Sequence, residues 1–464
     1  MLLIDRRPPM LPTFRVDVVE SGGRARRLRV KCEIGANLRF DAELIQSYCL
    51  AEWDPTVFDA LVVAAAVQFC DHSKRRLSAS WGREFELRIP VHDTVHWKSE
   101  SVSTALHLAL AFVTGDRWNV SFVERRSPAP SCAQLRFDIS EHTCVVVPFS
   151  NGLDSLAVAL LMEKEYGQDV LRVRLGSVSK ALHRNGLEGR RIPFTSVPYE
   201  VTCEKRSSVE STGRSRGFTF ALLGGIAAHL SNAAVVALPE SGQGAIGPSL
   251  VPVGQVYEDY RNHPSFTHRM ERLVSAVFGR HVSFDHPRLW YTKAETLMEV
   301  ERRLGNDVEW AITSSCWRDA RQASVGGKLR QCGVCGACML RRMSMHAMGR
   351  REGKETFVWE DLTVDRFEDG AAPTFKISKH RGALFESAIA GTLQLDQLAR
   401  LHRSVASQSG LDRQVSGLSA SLGLPEETVR AKLMRVLRQH EREWKSFLSS
   451  LGRESFVSHW VSGA

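Results

Sequence analysis

The chain has no apolar run approaching the roughly 20 residues that a membrane-spanning helix needs, so no such segment is expected. Its opening, MLLIDRRPPMLP, meets charge and proline too early to build the apolar core of a signal peptide. A cytoplasmic location is therefore expected. Internal repeats and long low-complexity tracts are also lacking, which leaves no basis for a repeat architecture. Nor is there an acidic excess: 61 Lys and Arg face 52 Asp and Glu, a net charge of +9. That balance suits phosphate ligands and nucleic acid, although an uneven scatter of surface arginine accounts for it more simply. What remains is a chain of 464 residues with an ordinary 43% hydrophobic content. A soluble globular protein of two or three domains is expected.

The most informative stretch is TCVVVPFSNGLDSLAVALLM, from Thr143 to Met162. An apolar run, Cys144 to Phe149, stops at Ser150-Asn151-Gly152-Leu153-Asp154-Ser155, and a helix-like apolar segment follows. The pattern predicts a strand, a tight polar loop and a helix N-terminus. Such a terminus carries unpaired N–H groups and about half a positive charge, which favours anions. Ser150 and Ser155 add hydroxyls, and Gly152 lets backbone approach a phosphate closely. An ordinary capped strand–turn–helix has the same outline. The string S-N-G-L-D-S resembles the S-G-G-x-D-S loop of PP-loop ATP pyrophosphatases, with Asn151 in place of a glycine. Asn tolerates positive φ better than other non-glycine residues.

A second feature lies at residues 313–342, TSSCWRDARQASVGGKLRQCGVCGACMLRR. Cys332, Cys335 and Cys338 form C-x-x-C-x-x-C, with Cys316 upstream. Four thiolates from two short segments suit a closed tetrahedral zinc site. The same set can hold an iron–sulfur cluster, whereas a disulfide pair would need an oxidising compartment. Gly333 and Gly336 permit the turn that aims neighbouring sulfurs at one ion. The other cysteines (32, 49, 70, 132, 144 and 203) are scattered, mostly in apolar runs, and read as core thiols.

Together these features resemble QueC, the 7-cyano-7-deazaguanine synthase family, over roughly residues 143–345. Gly213-Arg214-Ser215-Arg216-Gly217-Phe218 resembles the family's G-R-N segment before a helix. His286-Pro287-Arg288-Leu289-Trp290-Tyr291-Thr292-Lys293-Ala294-Glu295 resembles its P-L-x-W-x-x-K-A-E segment, and Thr313-Ser314-Ser315-Cys316 its T-x-S-C lead into the metal site. Two departures stand out. The family's Y-P-D-C-R stretch, which helps hold the deazapurine, is replaced by Tyr260-Arg261-Asn262-His263-Pro264. The strand before it ends in Leu238-Pro239-Glu240-Ser241-Gly242-Gln243-Gly244, without the usual glycine-led loop. Additions flank the core on both sides, and this long form resembles QatC and related proteins of bacterial anti-phage systems.

The resemblance implies an adenine nucleotide alpha hydrolase-like core and an ATP-dependent ligase forming a C–N bond on a 7-carboxy-7-deazaguanine-type substrate. It implies ATP, Mg²⁺ and Zn²⁺ as cofactors and protein partners from a defence operon. Ser150, Asn151, Gly152, Leu153, Asp154 and Ser155 would cradle phosphates, with Asp154 capping the helix or acting through Mg²⁺. Asp154, Ser155, Lys293 and Arg214 would serve catalysis; Arg216 would add phosphate charge, and Glu240 would read a purine-like edge or a metal. No glutaminase-like segment is present, so ammonia would come free or another amine would attack. Two other readings share these residues. One is a tRNA-modifying PP-loop enzyme, a thiolase or lysidine-type ligase, for which sulfur transfer would need a mobile catalytic cysteine with Cys203 as the loop candidate. The other is a non-catalytic nucleotide-binding scaffold.

The expected fold class is α/β. A parallel doubly wound PP-loop core (141–350, with a zinc module at 316–338) follows an N-terminal α/β domain (1–140) and precedes a helical region (351–464). In the first domain, Arg15–Val19 and Leu28–Cys32 read as paired strands around the turn Ser21-Gly22-Gly23. A helix near Pro55–Phe69, strands at Glu84–Val91, Arg117–Glu124 and Gln134–Ile139, and a helix at 101–114 follow. Asp71, Arg83, Asp93 and Trp97 read as capping and packing residues, and Arg125–Ser131 as a linker. In the core, strands are expected at Val170–Leu175, Phe194–Glu200, Ala233–Leu238 and Val282–Phe284. Helices are expected at Phe218–Leu230, Pro264–Val277 and Lys293–Leu304. In such sheets ligands sit at the carboxyl ends of strands, which should gather the loops 150–155 and 239–247 and the metal module at one edge. Thr428–Phe447 has apolar residues at helical spacing (Val429, Leu433, Val436, Leu437 and Trp444), started by Leu424-Pro425-Glu426-Glu427. With Val415–Leu422 it outlines a helix–turn–helix. DNA binding is less favoured there than packing on the core or on a partner.

Overall fold

A computed structural model describes residues 12–40, 54–77, 81–128, 143–150, 152–175, 194–197, 199–201, 210, 212–253, 257–318, 323–377 and 381–462. The chain forms two compact units, each built from three separate segments. Unit 1 comprises Met1–Pro148, Gln168–Ala237 and Phe266–Asp285; unit 2 comprises Phe149–Gly167, Leu238–Ser265 and His286–Ala464. Among the described residues no helix is long and apolar enough to cross a membrane.

Unit 1 opens with β1 (Phe14–Val19), β2 (Val30–Glu33) and β3 (Leu38–Phe40), then helix α1 (Pro55–Ser73). β4 (Glu84–Val91), the short α2 (Thr94–Lys98), α3 (Glu100–Thr114) and β5 (Arg117–Glu124) follow. The first sheet has the order β2-β1-β4-β5 and is parallel at every pairing. The hairpin expected for the first two strands is thus corrected: they pair side by side, with Val16 opposite Val30, but run the same way. The connection has to return to the start of β1, and it does so across Asp17. This buried carboxylate accepts the Arg26 N–H at 2.9 Å and pairs with Arg29 at 2.6 Å. Leu28, at φ 63°, makes the final reversal.

The second sheet comprises β6 (Val145–Phe149), β7 (Val170–Leu175), β8 (Phe194–Val197), β10 (Val235–Ala237) and β11 (Ser283–Asp285), in the order β11-β10-β6-β7-β8. Its β10–β11, β10–β6 and β7–β8 pairings are parallel. β9 (Tyr199–Val201) pairs instead with β3, antiparallel. The single strand expected over Phe194–Glu200 is therefore two strands in two sheets. Between β6 and β7 lies helix α4 (Leu153–Tyr166); α5 (Ser215–Leu230) precedes β10. In unit 1, α1 and α5 pack together, both buried over most of their length. Asp93 caps α2 by accepting the His96 N–H at 2.9 Å, and Trp97 is buried, as capping and packing residues should be. The strand expected at Gln134–Ile139 lies outside the described residues.

Helix α6 (Pro264–Phe278) runs between β10 and β11. Unit 2 adds α7 (Lys293–Leu304), two two-residue strands β12 (Ser324–Val325) and β13 (Lys328–Leu329), and α8 (Gly336–Ala347). It ends in four helices: α9 (Arg381–Arg400), α10 (Gln408–Leu422), α11 (Glu426–Leu451) and α12 (Phe456–Ser462). The expected apolar stripe of α11, Val429, Leu433, Val436, Leu437 and Trp444, is buried throughout. Leu433 and Leu437 join Leu411, Val415 and Leu418 of α10 in one core cluster with Ala245, Ile246 and Leu289. A second cluster joins Cys332, Cys335, Cys338, Met339 and Met343 to Leu384, Trp444, Phe447 and Phe456. The cysteine segment and the C-terminal helices therefore share one hydrophobic core. Burial of this kind contributes about 25 cal/mol per Å² of apolar surface.

Candidate functional site

Three strands that are neighbours in the second sheet, β6, β10 and β11, each hand the chain to unit 2 at their carboxyl ends. After β6 comes the loop 150–152, after β10 the segment Leu238–Gly244, and after β11 the segment leading to Lys293. These are the segments that carry the candidate residues.

The loop after β6 is folded by its own hydroxyls. Ser155 Oγ donates to the Ser150 carbonyl at 2.6 Å and lies 2.9 Å from that of Gly152. Ser150 Oγ accepts the Gly152 N–H at 3.1 Å and lies 3.0 Å from Ser155 Oγ. A Cβ at Gly152 would stand 2.9 Å from Ser150 Oγ, so a side chain there would turn that hydroxyl away from the bonds it makes in the loop. Gly152 is the N-cap of α4, and no side chain caps it. Asp154 thus does not cap the helix, as one expectation had it. Leu153 is buried beneath the loop and belongs to the core. Asn151 lies outside the described residues.

Asp154 pairs instead with the Lys293 ammonium, and its buried Oδ1 has no hydrogen-bond partner among the described residues. Lys293 is no surface residue: its side chain is 7% exposed. It opens α7, whose N-terminus is fixed by a capping box. Thr292 Oγ1 accepts the Glu295 N–H, and the Glu295 carboxylate accepts the Thr292 N–H at 2.8 Å. The pair therefore joins the first turns of two helices, and the positive N-terminal poles of α4 and α7 meet at one place.

Glu240 belongs to the same group. It is half-buried, and desolvation together with the nearby negative Asp154 pushes its carboxyl up to about 8, against the opposing pull of Lys293. Its Oε1 accepts from Asn262 Nδ2 at 3.2 Å. Asn262 stands in the Tyr260–Pro264 segment, so the two stretches that depart from the QueC pattern meet here. Arg261 pairs with its neighbour Asp259.

Cys316, Cys332, Cys335 and Cys338 present four Sγ atoms, all within 4.8 Å of one another. The Cys332 and Cys338 sulfurs are 3.8 Å apart, the edge of a tetrahedron with metal–sulfur bonds of about 2.3 Å. Backbone N–H groups point at sulfur, from Cys332 to Cys316 at 3.2 Å and from Cys335 to Cys332 at 3.3 Å. Gly333, at φ 85°, makes the turn between them. Such a donor set can hold a metal ion such as zinc, and four protein ligands leave it no open position for chemistry. The segment entering the cluster is pinned by buried Arg341, which donates to Thr313 Oγ1 at 2.7 Å and to the Trp310 carbonyl at 3.0 Å. Ser315 N–H donates to Gln331 Oε1 at 2.8 Å. The carbonyl of Ser314, between these anchors, lies 3.9 Å from the Cβ position of Gly152. The cysteine module therefore borders the polar loop. Of the remaining cysteines, Cys32 and Cys70 are buried as expected; Cys144 is exposed, because the residues facing the core in β6 begin at Val145.

Arg214 and Arg216 belong to unit 1. Arg214 is 4% exposed and stacks on Trp81; Arg216 is exposed and lies over Phe220. The adjacent Ser215 N–H donates to Asp71 at 2.8 Å. Asp71 is part of a buried network with Arg83, Asp116 and Arg76, in which Arg83 lies 2.7 Å from Asp116 and Arg76 2.8 Å. Burial opposes ionisation of Asp71, but Arg83 more than offsets it and holds the carboxyl below its usual range. The unit 2 group also contains residues that the sequence did not single out: Gln243, Asn262, His440 and Glu443. Gln243 and Asn262 lie within stretches noted for their departure from the QueC pattern, but nothing there marked their side chains.

No curated protein matches the chain at a significant level. Residues 232–349, which carry Glu240, Lys293 and all four clustered cysteines, match the family model described as Queuosine biosynthesis protein QueC, while the loop 150–155 precedes the matched stretch.

Proposed function

We propose that the chain uses ATP to activate the carboxylate of a 7-carboxy-7-deazaguanine-type substrate and then joins the acyl group to an amine. The carboxylate oxygen attacks the α-phosphorus, the bond to the β-phosphate oxygen breaks, and pyrophosphate leaves. The amine nitrogen then attacks the acyl carbon, AMP departs, and the amine proton passes to solvent. The observation that carries this reading is the Asp154–Lys293 pair, which brings two helix N-termini together beside the Ser150–Ser155 loop. Helix N-termini, backbone amides and an ammonium are what a departing pyrophosphate requires. The QueC match over the segment containing Lys293 supports the substrate class.

A defence role, with the terminal amine of a partner protein as acceptor, is the finer part of this reading. It is supported by the long flanking architecture and by the altered segments that meet at Glu240 and Asn262. The test is incubation of the full-length protein with ATP, Mg²⁺ and 7-carboxy-7-deazaguanine, with and without ammonium. AMP and pyrophosphate are expected in equal amounts. Absence of both under all these conditions, including added partner proteins, overturns the reading.

A further inference from the structure

We propose that His440, on the C-terminal helix α11, is a positioning residue for Lys293, acting through the side chain of Gln243. The inference rests on the reading of Lys293 given above, but its geometry does not. Gln243 Oε1 accepts the backbone N–H of Lys293 at 2.8 Å, and Gln243 Nε2 lies 2.8 Å from His440 Nδ1. On its far side, His440 Nε2 lies 2.9 Å from the Leu395 carbonyl.

The direction of each bond follows from its end. The Leu395 carbonyl only accepts, so His440 carries its proton on Nε2, and Nδ1 presents a lone pair. Gln243 must then turn its amide N–H₂ to His440 and its carbonyl oxygen to Lys293. Burial favours the neutral ring that this arrangement needs, pushing the imidazole down to about 4. His440 and Gln243 are both buried, so a lost partner leaves a desolvated polar group. The result is a directed chain from α9 through α11 to the first residue of α7, whose ammonium pairs with Asp154, and Gln243 also hydrogen-bonds Glu443.

A second contact runs parallel to it. Thr292 Oγ1, the cap of the same helix, donates to Glu443 Oε1 at 2.6 Å, one turn beyond His440 on α11. Two neighbouring side chains of α11 thus hold the two residues that begin α7. Both lie outside the stretch matched by the QueC model, in an addition for which the sequence favoured packing on the core or a partner over DNA binding.

The test compares His440→Ala with His440→Asn in the full-length protein, since an asparagine amide can accept at one end and donate at the other. Two measurements are made: steady-state pyrophosphate release, and amide hydrogen exchange of a peptide covering residues 290–297. His440→Ala is expected to lower kcat at least tenfold with KM for ATP changed less than threefold, and to speed exchange of that peptide at least tenfold. His440→Asn is expected to recover most of both. If the wild type is active and His440→Ala changes neither kcat nor exchange, the proposal is overturned. It is equally overturned if Ala and Asn behave alike. If exchange responds as expected while every form, wild type included, is inactive, the relay stands and the functional reading falls.

Discussion

Gly152 and Glu240 show how single residues set the chemistry of the group. At Gly152 any Cβ would meet Ser150 Oγ at 2.9 Å, and that hydroxyl also receives the Gly152 N–H. Gly152→Ala should therefore turn the Ser150 hydroxyl out of its bonds with the Gly152 N–H and Ser155 Oγ and lower turnover, since misplaced groups at a reacting centre cost rate. Pyrophosphate release in the variant, alongside an unchanged circular dichroism spectrum, checks this. Glu240 gives a prediction with a definite sign. Its carboxyl is pushed up to about 8 in the folded chain, above the value near 4.5 of a free side chain. The folded state then binds the proton more tightly, so the stabilisation is complete below about pH 4.5 and is lost as pH rises through about 8. Glu240→Gln removes the titration. Its melting temperature should fall less than that of the wild type between pH 5 and 8, and two parallel curves would refute the shift. Lys293→Met is a different case. It leaves the Asp154 carboxylate partly buried without its cation, and loss of one partner of such a pair destabilises more than the pair stabilises.

Whether an element was legible in the sequence depended on where its determinants lie. Helix α7 begins and ends where the sequence put it, because Thr292, Glu295 and the apolar spacing are all local. The start of α11 was equally legible from Pro425, Glu426 and Glu427. The direction of β2 was not, because it depends on Arg26 and Arg29 reaching back to Asp17. Within the candidate site, Ser150, Gly152, Asp154, Lys293 and the cysteines were marked by motif, and Glu240 by its place at a strand end. Gln243, His440 and Glu443 were not, because Gln243 and His440 are separated by 197 residues and carry no spacing that signals a pair. The cysteine element also supports a prediction at its own scale. Cys338→Ser should abolish tight metal binding and lower the melting temperature, since the sulfurs sit inside the core cluster that contains Met339, Leu384 and Trp444. Metal analysis of the purified wild type should find about one ion per chain. An equally stable Cys338→Ser protein would show that the metal contributes nothing to the fold.

For the molecule as a whole, the way the chain is divided determines which parts can act alone. The chain passes between the two units after Pro148, Gly167, Ala237, Ser265 and Asp285, so neither unit is one continuous stretch. Within unit 2 the cysteine module has no core of its own. Cys332, Cys335 and Cys338 are buried together with Ala388 of α9, Trp444 and Phe447 of α11 and Val457 of α12. A metal held by these thiolates is therefore expected to be linked to the stability of the C-terminal helices, so that loosening the helices weakens its binding and removing it loosens the helices. Trp444 is the sharpest probe of this coupling, being fully buried and bonded through Nε1 to Asp396 at 3.1 Å. Trp444→Ala should cost about 3–5 kcal/mol, though it lies far in sequence from every cysteine. It should also lower the chelator concentration at which the metal is released. A chain ended at Gly349, where the QueC match stops, should go further and fail to fold, leaving the apolar side of α8 uncovered. If that shortened chain instead folds and keeps its metal with unchanged affinity, the shared core does not couple the two, and the C-terminal helices are an independent addition.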